Sequence, residues 1–154
     1  MDIENARFNM IEQQIRPCEV YDPKILAMLS LLKRENFVPN EYAKMSFADV
    51  ELPLPGSQKM LLPRVEAKLV QELDLKSTDK VLEIGPGSGY VTAMLAKLSN
   101  FVYAIESDNI NKQLAIHNLQ HSGINNVTIV SGNGIEGMPS KAPFDKIFVG
   151  GALT

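Results

Sequence analysis

The stretch Asp79-Lys80-Val81-Leu82-Glu83-Ile84-Gly85-Pro86-Gly87-Ser88-Gly89-Tyr90 decides the fold. Residues 79–84 are a short aliphatic run bounded by charge and glycine, which reads as a strand. Glycines at 85, 87 and 89 follow, and a helical pattern continues to about Lys97. Glycine at a strand-to-helix turn permits positive φ and lets a ligand approach the backbone closely. The helix start behind it offers free N–H groups and a positive dipole end.

Downstream, the same rhythm repeats. Residues 102–105 read as a second strand ending at Glu106, and residues 108–121 as a helix with Ile110, Leu114 and Leu119 inward. Gly123 lies just past that helix, where a left-handed residue is expected. Residues 127–130 and 145–149 read as third and fourth strands, the last followed by Gly150-Gly151. Alternating strands and helices predict an α/β domain with a doubly wound, mainly parallel sheet.

Upstream, the texture changes. Residues 1–75 read as helices and loops without a strand run. Ile3, Ala6, Met10, Ile11 and Ile15 recur at helical spacing until Pro17 ends the pattern. Asp22-Pro23 is a start signal for a helix burying Ile25, Leu26, Met28, Leu29 and Leu32. Pro39 opens a short helix through Tyr42 and Ala43. The segment LPLPGSQKMLLP, residues 52–63, excludes a long regular element. Pro63 begins a helix whose Val65, Leu69, Val70 and Leu73 are expected to face one way. The expected organisation is a helical and substrate-loop region, 1–75, and an α/β core, 76–154, forming one structural unit.

Composition narrows the function. The 154 residues carry 15 Lys+Arg against 18 Asp+Glu, net −3, with 45% hydrophobic and 21% charged residues, so the chain is globular in kind. Mild acidity argues against a dedicated nucleic-acid or membrane-surface binder. No apolar run approaches the ~20 residues that span a bilayer. One cysteine, Cys18, cannot form an internal disulfide, so a reducing, cytoplasmic setting is expected.

The acid at 106 selects the ligand class. A carboxylate closing the second strand, about twenty residues beyond the first glycine, is placed to accept hydrogen bonds from both ribose hydroxyls. The dinucleotide fingerprint G-x-G-x-x-G needs a third glycine where this chain has Tyr90. Glu83, just before the turn, would repel a pyrophosphate. It suits a cationic ligand instead, and S-adenosylmethionine carries a sulfonium and an ammonium. The residues favour a methyl donor, with a dinucleotide-dependent oxidoreductase as the lesser alternative.

The string LEIGPGSGYVTAMLA resembles motif I of class I S-adenosylmethionine-dependent methyltransferases. With RFNMIEQQIRP, FVP at 37–39 and FADVELPLP, the chain more specifically resembles the protein-L-isoaspartate O-methyltransferase family along nearly its whole length. The resemblance implies that Gly85, Gly87 and Gly89 line the methionine part of the donor and that Glu106 holds the ribose. Glu83, Ser88, Tyr90 and Ser107 are expected among the donor-binding residues beside them. Gly132, Asn133 and Gly134 match the family's G-D-G turn at the adenine, with the amide of Asn133 replacing an acid. Gly150 would border the transferring methyl. The implied reaction is methylation of the α-carboxylate of an isoaspartyl residue in a protein or peptide, a repair step that yields S-adenosylhomocysteine. A carboxylate with a reference pKa of about 3.3–3.7 is already ionised at neutral pH and needs no general base.

One segment departs from the family. Its loop normally reads Gly-Gln-Thr-Ile-Ser-x-Pro, whereas this chain has Ser57-Gln58-Lys59-Met60-Leu61-Leu62-Pro63. Both hydroxyls are replaced, by Lys59 and Leu61. Gln58, Lys59, Met60, Leu61 and Arg64 are therefore the candidates for acceptor contacts, with Lys59 or Arg64 as a cation for a carboxylate. A donor-binding fragment without catalysis, or a relative with another acceptor, stays open beside the repair reading. His117 and His121 share a helix face without a third ligand, so no metal is expected. The seven methionines read as core filler. Only four strands are legible after residue 75 where such a sheet normally has seven, so the chain reads as truncated after its fourth strand. That strand would lie at an uncovered edge, and self-association through it is expected.

Overall fold

The computed structural model describes residues 1–151. The N-terminal half begins with α1 (Ile3–Met10), capped by the Asp2 carboxylate, which accepts from Asn5 N. The helix does not simply run on to a stop at Pro17. It widens into a π turn at Ile11–Ile15 and tightens into a 3-10 turn at Arg16–Cys18. Proline has no N–H and its ring excludes the carbonyl one turn back, so regular α geometry gives way before it. Helix α2 (Pro23–Leu31) starts at the predicted Asp22 cap, and a 3-10 turn at Asn40–Met45 follows Pro39.

Two short strands then form where none was expected. β1 (Leu52–Pro53) and β2 (Lys59–Met60) pair antiparallel. Two residues cannot establish a period, so this hairpin is invisible to pattern reading. Helix α3 (Pro63–Glu72) follows. Its buried face differs from the expected one: Leu69 is 41% exposed, whereas Glu66 is buried. Glu66 is drawn inward by Arg34, which is completely buried and lies 3.3 Å away.

The α/β half matches its predicted rhythm: β3 (Lys80–Ile84), α4 (Tyr90–Leu98), β4 (Phe101–Glu106), α5 (Asn109–His121), β5 (Val127–Ser131) and β6 (Lys146–Val149). The four strands form a parallel sheet in the order β5-β4-β3-β6. The chain builds outward from β3 and then returns to its other side. Such reversals create a crevice beyond the carboxyl ends of the strands. In α5 the expected inward Ile110 is 66% exposed. Asn111 and Asn118 are buried in its stead, donating to Pro55 O at 2.8 Å and Ser88 O at 2.9 Å.

One apolar cluster joins Met10, Ile15, Phe37 and Leu52 of the first half to Val81, Met94, Val102 and Phe148 of the second. The opposite sheet face carries only a small cluster of Leu82, Ile84 and Ile105, covered among the described residues by Met138 and Phe144 with Tyr103. Among the described residues β6 pairs with β3 alone, and its Ile147 and Val149 are 56% and 46% exposed. No helix among the described residues is long and apolar enough to cross a membrane.

Candidate functional site

A cleft of about 810 Å³ opens at the carboxyl ends of β3, β4 and β6 and is walled on one side by the β1–β2 hairpin. Its floor is the glycine turn. Gly85 has φ +77°, and a Cβ there would stand 3.1 Å from Gly151 N, so the crossing of the two chain segments requires glycine. Gly150 N donates to Ile84 O at 2.8 Å and locks that crossing.

Every donor-binding residue expected from the sequence lines this cleft except Gly89. Gly89 (φ +89°) instead packs on α5, where a Cβ would meet Ala115 at 3.3 Å. Its task is close helix approach, which the alternation of glycines in the sequence does not reveal. Asn133 lines the cleft, but its side-chain oxygen accepts from Ile135 N at 3.0 Å and so already caps a 3-10 turn.

Two buried acids flank the turn. Glu106 accepts three hydrogen bonds: Gly87 N to Oε2 at 3.2 Å, and Asp108 N and Gln58 Nε2 to Oε1, each at 3.1 Å. Glu83 is equally buried, yet among the described residues neither of its carboxyl oxygens has a hydrogen-bond partner. Burial pushes its pKa up to about 8, with the neighbouring Thr92 hydroxyl opposing the shift and the Glu106 charge adding to it. A buried polar group without a hydrogen-bond partner is costly, so an acid in this position facing a cleft is a candidate ligand contact. Its ionised form would be matched by a cationic group of a ligand.

The side expected to meet an acceptor is organised differently. Lys59 Nζ lies 3.0 Å from Glu51, and Arg64 Nε bridges both Asp49 oxygens at 3.0 and 3.2 Å. Arg64 does not line the cleft, and both candidate cations are engaged by carboxylates of the chain itself. Met60 and Leu61 line the cleft beside Tyr90 and Phe148. Beneath them Arg34 donates to Ser46 O at 2.7 Å, Leu61 O at 3.1 Å and Glu66 at 3.3 Å, with its guanidinium 5.2 Å from the Tyr90 ring centre. Burial pushes Glu66 up to about 7, while Arg34 pulls it down. Burial likewise raises the Tyr90 hydroxyl. Arg34, Glu66 and the lining Leu54, Ser57 and Glu51 were not legible as site residues. The R-E-N-F-V-P phrase at 34–39 was the available signal for Arg34, yet a charge at a helix end ordinarily reads as solvated.

His117 and His121 stack on an exposed helix face with ring centres 6.2 Å apart. Among the described residues no group of three His, Cys, Asp or Glu could hold a metal ion.

Comparison with known proteins agrees with this architecture. The family model for protein-L-isoaspartate(D-aspartate) O-methyltransferase matches residues 5–154. A protein-L-isoaspartate O-methyltransferase of Koribacter versatilis is 35% identical over 147 residues, covering 96% of this chain and 66% of its own length. One of Syntrophus aciditrophicus is 38% identical over 146 residues, covering 95% and 67%. A solved protein-L-isoaspartate O-methyltransferase superposes with TM-score 0.77 at 26% identity, over 95% of this chain and 47% of that one. A Plasmodium falciparum structure described as a complex with S-adenosyl-L-homocysteine gives 0.78 at 19% identity, over 97% and 73%, a likeness of fold. The chain spans about two thirds of the length of the curated relatives it matches.

Proposed function

The chain belongs to the protein-L-isoaspartate O-methyltransferase family, and from that premise we propose that it binds S-adenosylmethionine and serves methyl transfer to an isoaspartyl carboxylate of a damaged protein or peptide. The observation that carries this reading is the pair of buried acids at the glycine turn, Glu106 with its ordered donors and Glu83 with no hydrogen-bond donor among the described residues.

Each residue then has a task. Glu106 and Ser107 hold the ribose, Gly132 to Gly134 border the adenine, and Glu83 faces the positive charge of the methionine moiety. S-adenosylmethionine supplies an electrophilic methyl group on a sulfonium. The acceptor carboxylate arrives ionised, so the chain's own work is alignment and exclusion of water. Met60, Leu61, Tyr90 and Phe148 give apolar walls for that purpose. An isoaspartyl peptide, without nucleic acid or membrane, is the proposed partner, in a reducing cytoplasmic setting suited to the lone Cys18.

A second reading has its own support. Because Lys59 and Arg64 are paired internally, the chain would bind donor without esterifying an isoaspartyl carboxylate, or would serve another acceptor. Titration with S-adenosylhomocysteine and with NADH tests donor binding; tighter NADH binding would restore the dinucleotide alternative. Labelled methyl donor with an isoaspartyl peptide then separates the two donor readings, since saturable binding without labelled ester removes the substrate claim. The exposed edge of β6 supports self-association, which a strictly monomeric species in light scattering would contradict.

A further inference from the structure

Resting on the donor-binding reading, we propose that Gln58 is the residue that couples donor occupancy to the acceptor hairpin, by exchanging places with a ribose hydroxyl on Glu106. The argument is an accounting of acceptor positions. A carboxylate offers about four lone-pair sites. Glu106 uses three of them, for Gly87 N, Asp108 N and Gln58 Nε2. A ribose diol brings two hydroxyl donors, one more than the remaining site accommodates.

One donor of the three must therefore leave. Gly87 N is fixed by the glycine turn, and Asp108 N by the start of α5, where the Asp108 carboxylate caps Asn111 N at 2.9 Å. Gln58 is the only one of the three on a rotatable side chain, and it is half-buried at the rim of the cleft. It also belongs to the hairpin that carries Lys59, Met60 and Leu61 into the acceptor side. Leu54 N donates to Gln58 O at 2.8 Å, and Asn111 Nδ2 holds Pro55 O at 2.8 Å. When the amide is released, the β1–β2 hairpin keeps its hinge on α5 and loses its tie to the donor carboxylate. Entry of the donor is thereby signalled to the segment that meets the acceptor.

The exchange is read by calorimetry on the full chain, with S-adenosylhomocysteine and its 2′-deoxyribose analogue as probes. Gln58→Ala and the similarly sized Gln58→Met remove the competing amide. Both are expected to tighten S-adenosylhomocysteine about three- to tenfold. The 2′-deoxy analogue brings a single hydroxyl, which fits the free site, so its affinity should change less than about twofold. Unchanged or weaker S-adenosylhomocysteine binding by both variants overturns the exchange, as does an equal gain with the deoxy analogue. Failure of the unsubstituted chain and both variants to bind either probe overturns the donor reading and this inference with it, whereas binding without the difference overturns the inference alone.

Discussion

The donor wall and the acceptor wall of one cleft handle charge in opposite ways. On the donor wall Glu83 is buried with no partner and Glu106 is met mainly by backbone donors. On and behind the opposite wall these cations are each answered by another side chain: Lys59 by Glu51 at the cleft, and Arg64 by Asp49 and Arg34 by Glu66 behind it. Groups left unmatched in a low-dielectric site are poised for a ligand; groups matched internally hold shape. The first wall is therefore expected to govern binding, and the second chiefly to govern stability.

The sharpest way to break that contrast is at Arg34. Arg34→Met leaves Glu66 buried beside an apolar side chain and should cost about 3–5 kcal/mol in urea unfolding. Arg34→Met combined with Glu66→Leu should recover most of the loss, since an apolar pair can replace a buried ion pair. A loss below about 1 kcal/mol for the single variant would show that the pair does not hold this wall.

Next in size is Glu106→Ala, which should weaken S-adenosylhomocysteine by about 1.5–3 kcal/mol in a calorimetric titration. An unchanged dissociation constant would mean that the ribose lies elsewhere.

Smaller per pH unit, but of distinctive sign, is the pH dependence of Glu83. Its folded pKa of about 8 lies above the unfolded value near 4.5. The folded state thus binds more protons between these values, and stability should fall as pH rises from about 4.5 to 8, on the order of 1 kcal/mol per pH unit. Glu83→Gln should flatten this slope in thermal unfolding. Donor affinity should move the other way and rise toward pH 8, because the ionised acid is the form that attracts an ammonium. A donor affinity flat with pH would remove Glu83 from the site.

The smallest effect belongs to Lys59→Ala. Its pair with Glu51 is solvent-exposed on both sides, so unfolding should shift by less than about 1 kcal/mol. A large loss would blur the distinction between surface pairing and the buried Arg34 pair.

Legibility divides along the same line. The glycine turn, Glu83 and Glu106 were readable because a strand, a turn and a helix in succession impose local residue choices that do not depend on distant chain. The same locality revealed the cap at Asp22. Inward helix faces were read less well at α3 and α5. A hydrophobic period assigns Leu69 and Ile110 to the core, but it cannot foresee that Arg34 and Pro55 O, both distant in sequence, recruit Glu66 and Asn111. The pairing of Lys59 and Arg64 was hidden for the same reason.

The sequence by itself determined the parallel α/β core, the glycine turn at its switch point and the acid at the end of the second strand, since each rests on short-range backbone geometry. Only the tertiary structure decided which charges are free. Whether Glu83 is orphaned, whether Lys59 is spent on Glu51 and whether Gln58 stands on Glu106 depend on side chains brought together across as many as 48 positions. Burial and partner geometry, set by packing of the two halves, fix those outcomes.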